Sequence, residues 1–447
     1  SAISQARYLH SCLRSDISES FGRANKIAGD VPRDYIGGGG DDIARIYRTY
    51  ERGGSSMTEF AGRQCLLDHT AAILAFYEPV VFDPAVGFYQ NLKDDGTVFD
   101  PHSRHLVSST RFVFNYSEAY RRGLGSHYQA WAKHGVDYLL NEHLGDTGHF
   151  SWMLGVSPDH QALAYGHAFV MLAGASAIRA DVEGGSRCLA LGEHILETYF
   201  FESHASAYAD ERSPDLTELS PYRGQNANMH ACESMIASYH ATGSAHYLER
   251  ATILAKRFAG ELADQAGGMV WEHYSEDWSI DWDFHRDQPN DLFKPWGFQP
   301  GHQVEWSKLL TELFQITNES WYLKRAITLY EQAIDTGWDD TYGGLVYGVA
   351  PDGSFASADK YFWVHAEAFA AAYRLFRLTG EQRYLNDYQR IWDYAWAHLI
   401  DHQYGAWFRV LSREGQKIDD LKSPMGKVDY HTLGACWDVL DQQSLLI

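Results

Sequence analysis

Ionisable side chains recur in this chain at the spacing of helix turns. In "KPWGFQPGHQVEWSKLL" (residues 294–310), His302 and Glu305 lie three apart, on one face of a helix that Pro300 is suited to open. "GQNANMHACE" repeats the pair as His230 and Glu233. "RHLVSSTRFVFNY" carries Arg111, "LAYGHAF" Tyr165 and His167, "KYFWVHAEAF" Trp363, His365 and Glu367, and "KVDYHTLGA" His431. The chemistry this set suits is proton transfer. Neutral histidines serve as general bases near pH 7, and a helix N-terminus disfavours the cationic imidazole. Asn228 and Asp429 read as N-caps of the helices of His230 and His431. Arg111 could hold a substrate oxygen and stabilise a developing enolate-type charge.

One histidine on an apolar helix is ordinarily a hydrogen-bonded core residue. The set is different: burying an arginine, three histidines and two glutamates costs several kcal/mol per unpaired charge, so a polar cavity is the cheaper arrangement. Cys232 and Phe169, on the same helices, read as core. The His-x-x-Glu pairs also resemble carboxylate-bridged metal ligands of helical bundles. Arg111 in the same ring competes with a metal, so no metal and no cofactor is expected.

Positioning these groups takes twelve amphipathic helices. Six have one apolar stripe, as outer helices do: about 57–76, 125–140, 184–199, 245–263, 320–335 and 380–399. The other six begin near His105, Asp159, Asn226, Gln299, Lys360 and Tyr430 and are apolar nearly all round, as inner helices are. The two kinds alternate strictly. That is six helical hairpins, and six closed in a ring make an all-α (α/α)6 barrel. Loops leading into inner helices carry the hairpin turn signals "KDDGTVF", "APDGSF" and "SREGQK". The long loop 267–299 is rich in Trp, Asp and Tyr and suits a lid. Residues 1–56, with "GGGG" at Gly37–Gly40, read as a flexible extension or as sequence upstream of a start at Met57, and 57–447 as one catalytic domain.

Composition narrows the partners. A net charge of −22 over 447 residues disfavours nucleic acid and anionic membranes. Aromatic residues make up 14% of the chain, which suits stacking on sugar rings as well as large aromatic core layers. The five cysteines, Cys12, Cys65, Cys188, Cys232 and Cys436, are scattered with no CxxC, as reduced thiols in a cytoplasmic protein are. No run of 18 apolar residues offers a membrane span. "GGGG" lacks the Lys-Ser/Thr of a phosphate loop.

"STRFVF", "YGHAF", "QNANMHACE", "PGHQVEW", "WVHAEA" and "DYHT", in this order from about Leu66 to Leu440, resemble the N-acylglucosamine 2-epimerase superfamily, most of all its D-mannose isomerase and sulfoquinovose isomerase branch. The resemblance implies an (α/α)6 barrel and metal-free aldose–ketose isomerisation through a cis-enediol. It implies His302 and His431 as the acid/base pair. Arg111, Tyr165, His230, Glu305, Trp363 and Glu367 would bind and polarise the sugar. "WFRVL" resembles the mannose isomerase type and adds Arg409; a sulfonate could still meet Arg409 and Lys427. The expected reaction is D-mannose to D-fructose, with D-lyxose to D-xylulose sharing the required 2-hydroxyl configuration. The alternative is a sugar 2-epimerase, of N-acylglucosamine or glucose/mannose type, using the same histidines. A glycoside hydrolase with Glu305 and Glu367 as its carboxylate pair leaves the histidine excess unexplained. A binding scaffold would not need both histidines. The partner is a monosaccharide, and the protein a monomer or homo-oligomer.

Overall fold

The computed structural model describes residues 62–445. The N-terminal extension, its Gly37–Gly40 run and the expected helix start at residue 57 lie outside them.

Among the described residues, six outer and six inner helices alternate. They are α1 (Arg63–Val81), α2 (Leu106–Arg121), α3 (Tyr128–Tyr138), α4 (Ala164–Arg179), α5 (Gly185–Ile195), α6 (Gln225–Thr242), α7 (Ala245–Ala255), α8 (Pro300–Thr317), α9 (Ser320–Gly337), α10 (Phe362–Thr379), α11 (Gln382–Tyr394) and α12 (Tyr430–Ser444). The even-numbered helices form the inner ring. Four outer helices run on into π-helical turns, such as Leu139–His143 after α3, where the amide of Leu144 reaches back five residues to the Leu139 carbonyl. Each inner helix packs antiparallel on the outer helix that follows it, and α12 closes the ring by packing on α1 and α2.

Short strands link neighbouring pairs at one end of the barrel. Arg104–His105 pairs with Met153–Leu154, Ala162–Leu163 with Glu211–Arg212, Arg223–Gly224 with His273–Tyr274, and Lys360–Tyr361 with Val410–Leu411. Single bridges Phe298↔Val349 and Leu92↔Ser423 make the two remaining seams. One strand of each of these four pairs runs directly into an inner helix, so the backbone pairing fixes where that helix begins. For this reason α4 starts at Ala164 and not near Asp159: Asp159 bridges Met153, and Ala162–Leu163 is spent on its strand. The expected hairpins at "KDDGTVF" and "APDGSF" are present as Asn91–Leu92 with Val98–Asp100 and Gly348–Val349 with Phe355–Ser357.

The inner helices are apolar all round because both faces are covered. In α10, Ala366, Ala368, Ala370, Ala371 and Ala372 are fully buried, small enough to let neighbouring helices close in. Cys188, Cys232 and Cys436 are buried thiols, and Cys232 donates to the Ala251 carbonyl. Among the described residues no helix is long and apolar enough to cross a membrane.

Candidate active site

The inner helices begin around a cavity that opens at the strand-bearing end of the barrel. Arg111, Tyr165, His230, His302, Glu305, Trp363, Arg409 and His431 all line it. Glu367, expected to touch the sugar, does not: it stands behind His431, 2% exposed. Phe293 and Leu292 of the long loop 267–299 form part of the wall, the place expected for a lid.

The two candidate acid/base histidines are built alike. His431, in the first turn of α12, sets Nδ1 2.7 Å from Glu367 Oε1. Its Nε2 lies 3.3 Å from Arg111 Nη2. A guanidinium only donates, so Nε2 carries the lone pair and Nδ1 the proton. Burial, against the Glu367 hydrogen bond, brings the His431 pKa down to about 4, so the imidazole is a neutral base at pH 7. Burial likewise lowers His230.

His302 does not pair with Glu305. Its Nδ1 is 2.8 Å from Glu272 Oε1, on the strand His273–Tyr274 side of the long loop, and 3.0 Å from Gln225 Nε2 of α6. Trp306 donates to Gln225 Oε1, which fixes the amide with its NH2 toward Glu272 and His302. With Nδ1 engaged, Nε2 is left for the cavity. Trp363 lies between the two histidines, its ring 5.1 Å from that of His302 and 5.6 Å from that of His431.

Arg111 is clamped. Its guanidinium sits between the rings of Phe169, at 4.5 Å, and Tyr430, at 4.7 Å, and donates to the Gly426 carbonyl. Phe169 is buried as expected and also packs on His230 at 4.7 Å. The turn that delivers His431 is strained. Val428 and Asp429 have φ of 36° and 48°, a region β-branched residues avoid, and such residues persist only where the surroundings over-determine them. Here Asn115 donates to the Val428 carbonyl, and Asp429 accepts from Lys427, Tyr77 and the Thr432 hydroxyl. Asp429 does occupy the N-cap of α12, though its carboxylate takes side-chain donors and no backbone amide. Asn228 is no N-cap: Gly224 holds that place.

Asn228 belongs to a different pattern. It accepts from the Tyr208 amide and donates to the Gly224 carbonyl. His167 accepts from the Phe150 amide and donates to Leu163, and His365 does the same with Leu345 and Tyr361. Gln303 completes the set with Val270 and Gln299. All four are the fourth residue of their inner helices. They tie each helix to the incoming loop and do not reach the cavity. His167 and His365, grouped with the polar ring in sequence, are therefore wall ties.

Three carboxylates, Glu233, Glu305 and Glu367, gather at the cavity end of the inner helices, and one ammonium pairs with Glu367. Lys308 Nζ is 2.5 Å from Glu367 Oε2. Glu233 takes His230 Nδ1 at 2.8 Å and the Tyr430 hydroxyl at 2.6 Å. Glu305 Oε2 is buried with no hydrogen-bond partner. Burial, then Glu367 and Glu233, raise the Glu305 pKa well above the carboxylate range. Burial would raise Glu367 as well, but Lys308 and the His431 hydrogen bond outweigh it and hold the group low. His230, Glu233 and Glu305, or Glu305, Glu367 and His431, have oxygen and nitrogen atoms within 4.8 Å of one another, near enough to share an ion.

Arg409 reaches the cavity with its charge already matched by Asp419 at 2.5 Å, and Lys427 with its own matched by Asp429 at 2.5 Å. Sequence reasoning missed Glu272, Gln225 and Lys308. Glu272 sits in an aperiodic loop with no pattern to find. Lys308 did carry a signal, one further turn along the His302–Glu305 face.

Residues 87–435 match the family model described as N-acylglucosamine 2-epimerase (GlcNAc 2-epimerase). A protein of Marinomonas mediterranea named D-mannose isomerase is 45% identical over 393 residues, 87% of this chain and 100% of that protein. A crystal structure of D-mannose isomerase superposes with a TM-score of 0.83 at 45% identity, covering 86% of this chain and 98% of that one. Cellobiose 2-epimerase from Spirochaeta thermophila shares the fold, with a TM-score of 0.75 at 22% identity over 92% of this chain and 98% of that one.

Proposed function

The chain belongs to the N-acylglucosamine 2-epimerase family, and on that premise we propose that it is an isomerase interconverting D-mannose and D-fructose, without metal. The observation that carries this reading is the pair of cavity histidines. Each is anchored at Nδ1 by a buried carboxylate, at 2.8 Å for His302 and 2.7 Å for His431, with Trp363 between them. The 45% identity to a D-mannose isomerase over its full length supports the choice of sugar.

In this mechanism His431 Nε2 takes the C2 proton of the open-chain aldose. The electron pair forms the C1–C2 double bond, and O1 takes a proton from His302 Nε2, giving a cis-enediol. His302 then recovers a proton from O2 as the C2 carbonyl forms, and His431 returns its proton to C1. Arg111 stabilises the oxyanion that develops between these steps. Glu367 acts through His431 and Glu272 through His302. D-lyxose shares the C2 configuration of D-mannose and follows the same path to D-xylulose. The matched charges of Arg409 and Lys427 suit a neutral monosaccharide better than a sulfonated one. The same reading takes the protein to be cytoplasmic, on the buried thiols of Cys188, Cys232 and Cys436.

The test is proton NMR of chelator-treated protein with D-mannose in D2O. Fructose is expected, and its formation should be lost in His302→Ala and His431→Ala variants that keep the wild-type circular dichroism. Glucose accumulating at a comparable rate would make the protein a 2-epimerase, whose second proton delivery comes from the opposite face. Near wild-type turnover in either variant would remove the acid/base assignment.

A further inference from the structure

We infer that Lys308 is the resident cation of this site: it fills the electrostatic place among Glu233, Glu305 and Glu367 that a divalent ion would take, and through Glu367 it positions His431. The role in positioning rests on the isomerase reading; the exclusion of metal does not.

The geometry leads there directly. Helical spacing puts His302, Glu305 and Lys308 on one face of α8, and the side chain of Lys308 runs under the floor, where the residue is 9% exposed. Its ammonium takes Glu367 Oε2 at 2.5 Å while Glu367 Oε1 takes His431 Nδ1 at 2.7 Å. One carboxylate thus joins the buried lysine to the base. Glu233 and Glu305 also lie near enough to favour the charged lysine. The two trios with donor atoms within 4.8 Å share Glu305, whose Oε2 is unpartnered. Two carboxylates and a histidine, as each trio offers, are a donor set that hard and borderline divalent ions accept. A fixed ammonium supplies one positive charge there and offers no coordination vacancy. It leaves Glu305 free for substrate, where an ion would draw that carboxylate into its own shell. Lys308 is therefore a positioning residue and not a catalytic one, since it touches neither the cavity nor substrate.

The experiment uses full-length, chelator-treated protein titrated with Mn2+ and followed by electron paramagnetic resonance of the free ion. Lys308→Met should bind one equivalent more than wild type. The extra equivalent should be absent in Lys308→Arg, which keeps the charge, and in Lys308→Met combined with Glu305→Gln. In parallel, kcat on D-mannose should fall at least 10-fold in Lys308→Met with KM changed less than threefold, and recover most of the loss in Lys308→Arg. Where Lys308→Met does not fold, Lys308→Gln removes the same charge and keeps a hydrogen-bonding group toward Glu367. A folded neutral variant with the wild-type Mn2+ stoichiometry overturns the resident-cation role. An extra ion with unchanged kcat overturns the positioning role. A protein inactive on D-mannose in all forms would count against the isomerase reading, while the Mn2+ stoichiometry would still decide this one.

Discussion

Replacing Glu367 by glutamine changes one atom and should remove the base. The carboxylate accepts twice, from Lys308 at 2.5 Å and from His431 Nδ1 at 2.7 Å. An amide has one acceptor and one donor end. The ammonium can only donate, so the amide oxygen must face Lys308 and the NH2 must face His431. Nδ1 then carries the lone pair and Nε2 the proton, which points at Arg111, itself a donor 3.3 Å away. The proton sits on the atom that should receive one. In a catalytic triad the same carboxylate-to-amide change imposes the wrong tautomer and lowers kcat about 10⁴-fold, about 5.5 kcal/mol. We expect a fall of that order in Glu367→Gln, with KM within about threefold because Glu367 does not line the cavity. The variant should also lose roughly 3 kcal/mol of stability, because a buried ammonium loses its counter-charge. Adding Lys308→Met removes the donor that dictates the amide's orientation. The oxygen can then turn to His431, so the double variant should be at least tenfold faster than Glu367→Gln alone. Fructose formation from D-mannose, with thermal melts alongside, reads all three forms. A Glu367→Gln enzyme within tenfold of wild-type kcat, or a double variant slower than the single one, would refute the tautomer argument.

Two further outcomes follow from the wall. His167→Ala and His365→Ala should each destabilise the fold by about 2 kcal/mol in denaturant titrations, through lost bonds to buried backbone and a small cavity, while kcat stays within threefold; a kcat loss comparable to that of His230→Ala would place them in the site after all. The protein should also be acid-labile. His69, His143, His167 and His431 have folded-state pKa values of about 4 and His365 about 3, all lowered mainly by burial, against 6.5 when unfolded. The unfolded chain binds protons first, so their stabilisation is complete above pH 6.5 and is lost as pH falls from there through about 4. The loss between pH 7 and 5 should be on the order of several kcal/mol; a flat melting temperature over that range would contradict it.

The ring of helices was legible because periodicity reports burial. α10 reads apolar on every side since it is covered on every side, and α9 shows one stripe since it is covered on one. The starts of five of the inner helices were legible to within two residues. The reading failed at Asp159, because a bridge between Met153 and Asp159 is a pairing between segments that no local pattern announces. The same division runs through the site. Residue type and turn spacing picked out His302, His431, Arg111, Tyr165, His230, Glu305 and Trp363, and the family resemblance added Arg409; all of them reach the cavity. They could not separate His230 from His167, since both stand near the start of an inner helix. What separates them is two residues of phase: the fourth position turns toward the incoming loop and the sixth toward the axis.

The sequence by itself determined the barrel, the end at which the chemistry sits, and the proton-transferring character of that end, because these depend on side-chain type and on intervals along single helices. Only the tertiary structure decided the partners. His302 took Glu272 from a loop in place of the Glu305 one turn away, and Glu367 withdrew behind His431 to join it to Lys308. A hydrogen bond depends on a few tenths of an ångström between atoms on different elements. That distance is set by how six helix pairs close on one another, and no spacing within one segment records it.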